Sequence, residues 1–262
     1  MAKWLAADVP EWVVLLALAG GLPALMVILE ARIHRWAPHW RRGEHNDATG
    51  IMLSSAAVIY SVAMGLCVVT LWEERNDAHQ ALEAEAMNLA AVAQGGRVFD
   101  SDVRDRIRRA VLSYNQEVLD AWPQRVSGES SPTVSAALDE LVAIVAQLQP
   151  RTEAQRAYIL DATTRLARAT ELRAQAVRLA RDQQLPGTLW LSVVAGSVVV
   201  LALCLTCGIR DGTLRRVLVS GVAVTVGVNM FLAIELNYPF YGDVRVKPDS
   251  YRAVVADLQQ PR

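Results

Sequence analysis

At 262 residues, with 53% of them apolar and 20% charged, the chain is too apolar for an ordinary soluble domain and too charged to lie wholly in a membrane. Its charges nearly cancel, leaving −1 at neutral pH, so no electrostatic argument favours a nucleic-acid partner. The three cysteines, Cys67, Cys204 and Cys207, all lie within apolar runs and spell out no disulfide framework.

The first apolar run, 12–29, is uncharged and bracketed by Glu11 and Glu30. Crossing ~30 Å of hydrocarbon takes ~20 mainly apolar residues rising ~1.5 Å each, with the backbone satisfied inside the helix. A cleaved signal peptide is the rival reading, because Ala17-Leu18-Ala19 resembles a cleavage site. Asp8 and Glu11 spoil the basic leader, and the run continues to Leu29, so the segment reads as an anchor. Pro23, close after Gly20-Gly21, predicts a bend in it. A second uncharged run, 50–72, closes on Glu73, Glu74 and Arg75.

The stretch 73–186 contains no run long enough to span, and its periodicity is helical throughout. Leu82, Ala86, Leu89 and Ala93 carry the second membrane helix onward into water as far as Gly95-Gly96. Ile107, Val111, Tyr114 and Val118 form one face of the next helix, which ends near Trp122-Pro123. After the turn-rich segment 127–132, Leu138, Leu141, Val142, Val145 and Leu148 mark a third. Ala162, Leu166, Ala169, Leu172, Ala176 and Leu179 mark a fourth, with Thr152 as its candidate cap.

Two more uncharged runs follow, 187–209 and 217–234, and then a tail, 237–262. The expected fold is an all-α membrane protein with four transmembrane helices in two pairs, 1–72 and 187–236. Between them stands a water-soluble helical bundle, 73–186, continuous with the second and third membrane helices. The short loops 30–49 and 210–216 fall on one side of the membrane. Arg32, Arg35, Arg41 and Arg42 outnumber Glu44 and Asp47 in one, and Arg210, Arg215 and Arg216 outnumber Asp211 in the other. Positively charged short loops stay in the cytoplasm, which puts the bundle and both termini outside. Arg173, Arg178, Arg181, Arg245, Lys247 and Arg252 lie near the opposite membrane ends and weigh against that orientation.

Polar residues within the spans are the only site-like chemistry. Asn229 lies mid-way along the fourth span and Glu235 near its end; on the second span, Ser54 and Ser61 carry hydroxyls. These four are candidate pore-lining residues, because intramembrane polar groups face a bundle interior or water. The bland alternative makes Asn229 an interhelical hydrogen bond and Glu235 an interfacial residue. Ala57, Ser61 and Gly65 form a ridge at four-residue spacing that suits close helix packing.

Catalysis finds no support. Cys204-x-x-Cys207 sits in an apolar helix without a second pair, and His34, His39 and His45 share a loop without an acidic cluster. Arg104, Arg106, Arg108 and Arg109 alternate with Asp102 and Asp105 as a solvated helix face. No enzyme activity, metal or cofactor is expected.

One set of residues resembles a known family. Asn46-x-x-x-Gly50 opens the second span, and Trp72, Ala78 and Glu85 follow on its extension. Tyr114 and Trp122-Pro123 lie in the bundle, and Leu189-Trp190 opens the third span. Asn237-Tyr238-Pro239-Phe240-Tyr241-Gly242 follows the fourth. In this order, from about Asn46 to Val246, the chain resembles the bacterial bestrophin-like membrane proteins, named for a distant similarity to bestrophin ion channels. Asn237, Pro239, Phe240 and Gly242 match the Asn-Pro-Phe-Gly segment after the last bestrophin membrane helix, with Tyr238 and Tyr241 inserted. The acidic string of calcium-gated animal bestrophins is absent, since only Asp243 remains before Val244-Arg245-Val246, so no calcium clasp carries over. The resemblance implies a multi-pass protein of the bacterial cell membrane and a homo-oligomeric ion channel, with lipid, inorganic ions and further copies of itself as partners. It also implies a cytoplasmic bundle, opposite to the loop charges. An anion such as chloride is the first permeant to test, whereas an ionised Glu235 near the mouth favours cations. The alternative is a sensory or scaffold membrane protein whose bundle receives a ligand or partner.

Overall fold

The computed structural model describes residues 9–36, 46–181, 185–209, 211–238, 240–241 and 245–260. The described residues are helical and include no strand. They fall into two compact units, a membrane unit of Met1–Glu73 with Gln184–Val244 and a bundle unit of Glu74–Gln183 with Arg245–Arg262.

In the membrane unit the first span is α1 (Glu11–Leu16), a π-helical turn (Ala17–Gly21) and α2 (Leu22–Trp36). The expected irregularity lies at Gly20-Gly21 and takes the form of a π turn, in which the backbone shifts to i→i+5 bonding. The second span is the first part of α3 (Asn46–Gly95), the third is α8 (Gly187–Leu205), and the fourth is α9 (Gly212–Leu236). All four are long and apolar enough to cross a bilayer.

The first and fourth spans pack most closely, and the reason is a glycine. Gly227 faces the π turn, and a Cβ there would run into the Leu18 carbonyl oxygen. Only a bare backbone lets the two helices approach so far, which in lipid substitutes for the missing hydrophobic drive. Met26, Leu201, Cys204, Leu205, Val219, Ala223 and Val226 form one core among the first, third and fourth spans. Met64, Leu71, Leu185, Val193, Ala233 and Leu236 form another, which ties in the second.

The bundle unit begins with the second half of α3, a helix unbroken from Asn46 to Gly95, 50 residues or about 75 Å at ~1.5 Å per residue. It is followed by α4 (Ser101–Asp120), the short α5 (Trp122–Val126), α6 (Pro132–Ala146) and α7 (Glu153–Arg181). Gly128 takes φ +79 in the turn before α6, the left-handed region where an added Cβ would also strike the Arg181 backbone. Thr152 does cap α7, its hydroxyl accepting the Gln155 N–H at 3.2 Å. Between α7 and α8, residue 185 and Pro186 are described and Pro186 stands at the N-cap of α8, so bundle and third span are joined by separate helices.

Inward faces match the periodicity closely. Leu82, Ala86, Leu89, Ile107, Val111, Tyr114, Val118, Leu138, Leu141, Val145, Ala162, Leu166 and Ala169 are all buried. Three positions depart: Val142 is exposed with Ile144 buried in its stead, Leu148 is half-buried past the end of α6, and Leu179 is half-buried on α7. The segment expected as a tail differs more. Its end forms α10 (Asp249–Gln259), which packs on α4 through Tyr251, Val254 and Leu258.

Candidate functional site

The second span places Ser54, Ala57, Ser61 and Gly65 along one side of α3, as multiples of ~100° per residue require. Ser54, Ser61 and Gly65 are exposed, and a Cβ at Gly65 would meet nothing within 4 Å. Ala57 is half-buried, so most of the small-residue ridge, Ser61 and Gly65, is left open by its own protomer. Its hydroxyls turn back on their own helix: Ser61 donates to the Val58 carbonyl at 2.9 Å and Ser55 to that of Ile51 at 2.9 Å. Beside them, Ile51, Val58, Ile59, Val62 and Leu66 are exposed too, while Met64 and Leu71 supply the helix's buried contacts.

Asn229 and Glu235 occupy different environments. Asn229 is half-buried, and its amide donates to the Thr225 carbonyl of the same helix at 2.8 Å rather than across to another span. Glu235 is 6% exposed, inside the membrane unit. Next to it, Asn237 is fully buried and its Oδ1 accepts the Leu185 N–H at 2.9 Å, fixing the entry to the third span against the exit of the fourth. Phe240 is buried beside them, whereas Pro239 and Gly242 lie outside the described residues.

At the other end of the spans, Asn46 forms a two-way clamp. Its Nδ2 donates to the Gly208 carbonyl at 3.0 Å, and its Oδ1 accepts the Gly208 N–H at 2.8 Å. Glu30 and Arg215 form a buried ion pair there, and Arg215 also donates to the Ile209 carbonyl at 2.8 Å. Arg215 is thus not the free loop charge that its position in sequence suggests, and a partner so far along the chain leaves no local signal. Asp211 caps α9 through the Thr213 N–H at 2.8 Å.

The bundle holds a second buried ionic site. Glu85 on α3 is wholly buried, accepting the Tyr114 hydroxyl at 2.5 Å on one oxygen and Arg125 Nη2 at 2.6 Å on the other. The Arg125 guanidinium lies 5.6 Å from the Tyr251 ring centroid, which in turn is 6.3 Å from Trp122. Four helices thus converge on one carboxylate. Burial, then the neighbouring Glu85 charge, push the Tyr114 phenol well above its ordinary value. Burial likewise raises Tyr251, against the opposing pull of Arg125.

The cysteines are packing residues: Cys204 is buried in the core with Met26 and Val226. Among the described residues no three His, Cys, Asp or Glu side chains come together as metal ligands, and His39 and His45 lie outside them. Arg104, Arg106 and Arg109 are exposed as expected, but Arg108 is half-buried and reaches the carbonyls that end α10.

The bestrophin-like domain family matches residues 20–251. Among solved structures, one described as a membrane protein superposes with a TM-score of 0.74 at 14% identity, covering 95% of this chain and 97% of that one. Two variants of a bacterial bestrophin homolog from Klebsiella pneumoniae give 0.73 at 14% identity and 0.72 at 15%. They cover 93% and 95% of this chain, and 97% of each of theirs. No curated protein sequence matches.

Proposed function

We propose that this chain, which belongs to the bestrophin-like family, is the protomer of a homo-oligomeric ion channel with its second membrane helix on the pore axis. The observation that carries this reading is the open side of α3, where Ser54, Ser61 and Gly65 are exposed in the protomer and Ala57 between them is only half-buried. Copies arranged around an axis would bring these sides together, giving a passage narrow enough to exchange hydration for hydroxyl and backbone dipoles. Ser54 and Ser61 are the favoured lining groups. Asn229, half-buried on α9, is a secondary candidate, and the burial of Glu235 assigns it to holding the fourth span rather than to selecting ions. Chloride is the first permeant to test. The membrane is that of a bacterial cell, with the short basic loops inside; the Glu30–Arg215 pair removes one cation from that vote.

The test is flux across liposomes reconstituted at high density, with particle symmetry read by imaging. Conduction that falls in Ser61→Leu and Asn229→Leu proteins of unchanged assembly supports the channel. Silence of the unmodified protein under voltage, pH and divalent-cation variation overturns it. A sensory role is the second reading, favoured by one observation: α3 is a single unbroken helix from Asn46 in the membrane unit to Gly95 in the bundle unit.

A further inference from the structure

The bundle unit contains a cleft of about 330 Å³ where the end of α3, the start of α4 and the end of α10 meet. Its size lies at the lower end of small-molecule sites, roughly 300–1,000 Å³. Three guanidinium groups line it, Arg97, Arg104 and Arg108, against two carboxylates, Asp105 and Asp257. The three are not equivalent. Arg108 is committed, its fork donating to the Leu258 carbonyl at 2.7 Å and to that of Gln260 at 2.9 Å, where it meets the negative end of α10. Among the described residues Arg104 pairs only with Asp105, its neighbour in sequence, at 3.5 Å, and both side chains are about half exposed. An exposed pair at that distance contributes little. Arg97 makes no hydrogen bond or ion pair with any described residue.

Two guanidinium forks thus border one cavity without a strong partner. A planar fork presents paired N–H donors matched to the oxygens of a phosphate or carboxylate, and charge-assisted bonds of that kind are about twice as strong as neutral ones. Gln94 adds an amide to the lining.

We propose that this cleft binds a small oxyanion, of the phosphate or carboxylate class, through Arg97 and Arg104, with Arg108 as a positioning residue that holds α10 as its third wall. The site is independent of ion conduction. Since its walls come from three helices, an occupant bridges α10 to the rest of the bundle and raises its resistance to unfolding.

The test uses the full-length protein in detergent, with pyrophosphate and citrate as separate probes and sodium chloride at matched ionic strength as control. Saturable calorimetric binding with Kd of about 1 mM or tighter is expected for at least one probe, with a rise in melting temperature that chloride does not reproduce. Arg97→Ala is expected to weaken binding about tenfold with an unchanged ligand-free melt, since the side chain is exposed. Asp105→Asn, which removes a competing carboxylate, is expected to tighten it. The preferred probe identifies which oxyanion class the cleft takes. The proposal is overturned if neither probe saturates, if chloride matches their effect, or if Arg97→Ala binds as the unmodified protein does.

Discussion

In the bundle, each helix turns one apolar face to a common interior; on the second span apolar side chains point to all sides, and Ile51, Val58, Ile59, Val62 and Leu66 are exposed like Ser54 and Ser61. Polar groups follow the reverse rule. The bundle sinks a carboxylate and a guanidinium into its centre at Glu85 and Arg125, while the membrane unit keeps its buried ion pair, Glu30–Arg215, and the Asn46 and Asn237 links near the ends of the spans and places a neutral hydroxyl bond, Ser197 to Tyr60 at 3.0 Å, mid-span. Water explains the difference. It drives apolar faces together in the bundle, so that a central ion pair is enclosed by an interior that already exists. Hydrocarbon offers spans no such drive, and close contact comes from small residues and from bonds at helix termini.

The sharpest way to break this comparison is Arg125→Ala. It strands the Glu85 carboxylate in the bundle interior, and a loss of roughly 3–5 kcal/mol is expected, read as loss of the cooperative helical melt. Replacing both partners by leucine recovers most of that loss; failure to recover would mean that the pair, not merely its satisfaction, holds the four helices.

Glycines test the membrane side. Gly227→Leu drives a side chain into the Leu18 carbonyl and is expected to cost roughly 1–3 kcal/mol, seen as a lower melting temperature in detergent. Gly65→Leu meets nothing in its own protomer, so it leaves that melt unchanged and weakens assembly measured by native mass spectrometry. Equal effects of the two on the melt would remove Gly65 from any interface between protomers.

Alkaline pH separates the units by a subtler route. The Tyr114 and Tyr251 phenols are raised above their ordinary value of 10.0, and Tyr158, by burial and then Asp161, to about 12. Folded chains therefore hold protons that unfolded chains release, so this stability is complete below pH 10 and is lost as pH rises through the raised values. Denaturation midpoints are expected to fall as pH rises above 10, and less so for Tyr114→Phe. The smallest effect belongs to Arg156→Ala on α7. It breaks an exposed pair with Glu153, and a change within about 0.5 kcal/mol is expected in the same melts.

Much of the architecture was legible in residue order alone. Uncharged runs long enough for hydrocarbon located the four spans, and 3–4 spacing located the bundle helices, because both signals are local and repeat along the helix that produces them. The face of the second span was not legible in the same way: a helix apolar all round has no preferred side until its neighbours cover one. Nor was the pairing of Glu30 with Arg215, the depth of Glu235, the role of Arg108, or the helix within the segment read as a tail. Glu85 was visible only as a residue shared with a family and Tyr114 as one position on an apolar helix face, with no hint that the two meet. Each of these depends on partners distant in sequence, whose contact is set by where helices cross and how closely a residue such as Gly227 lets them approach. That is the part only the tertiary structure decided.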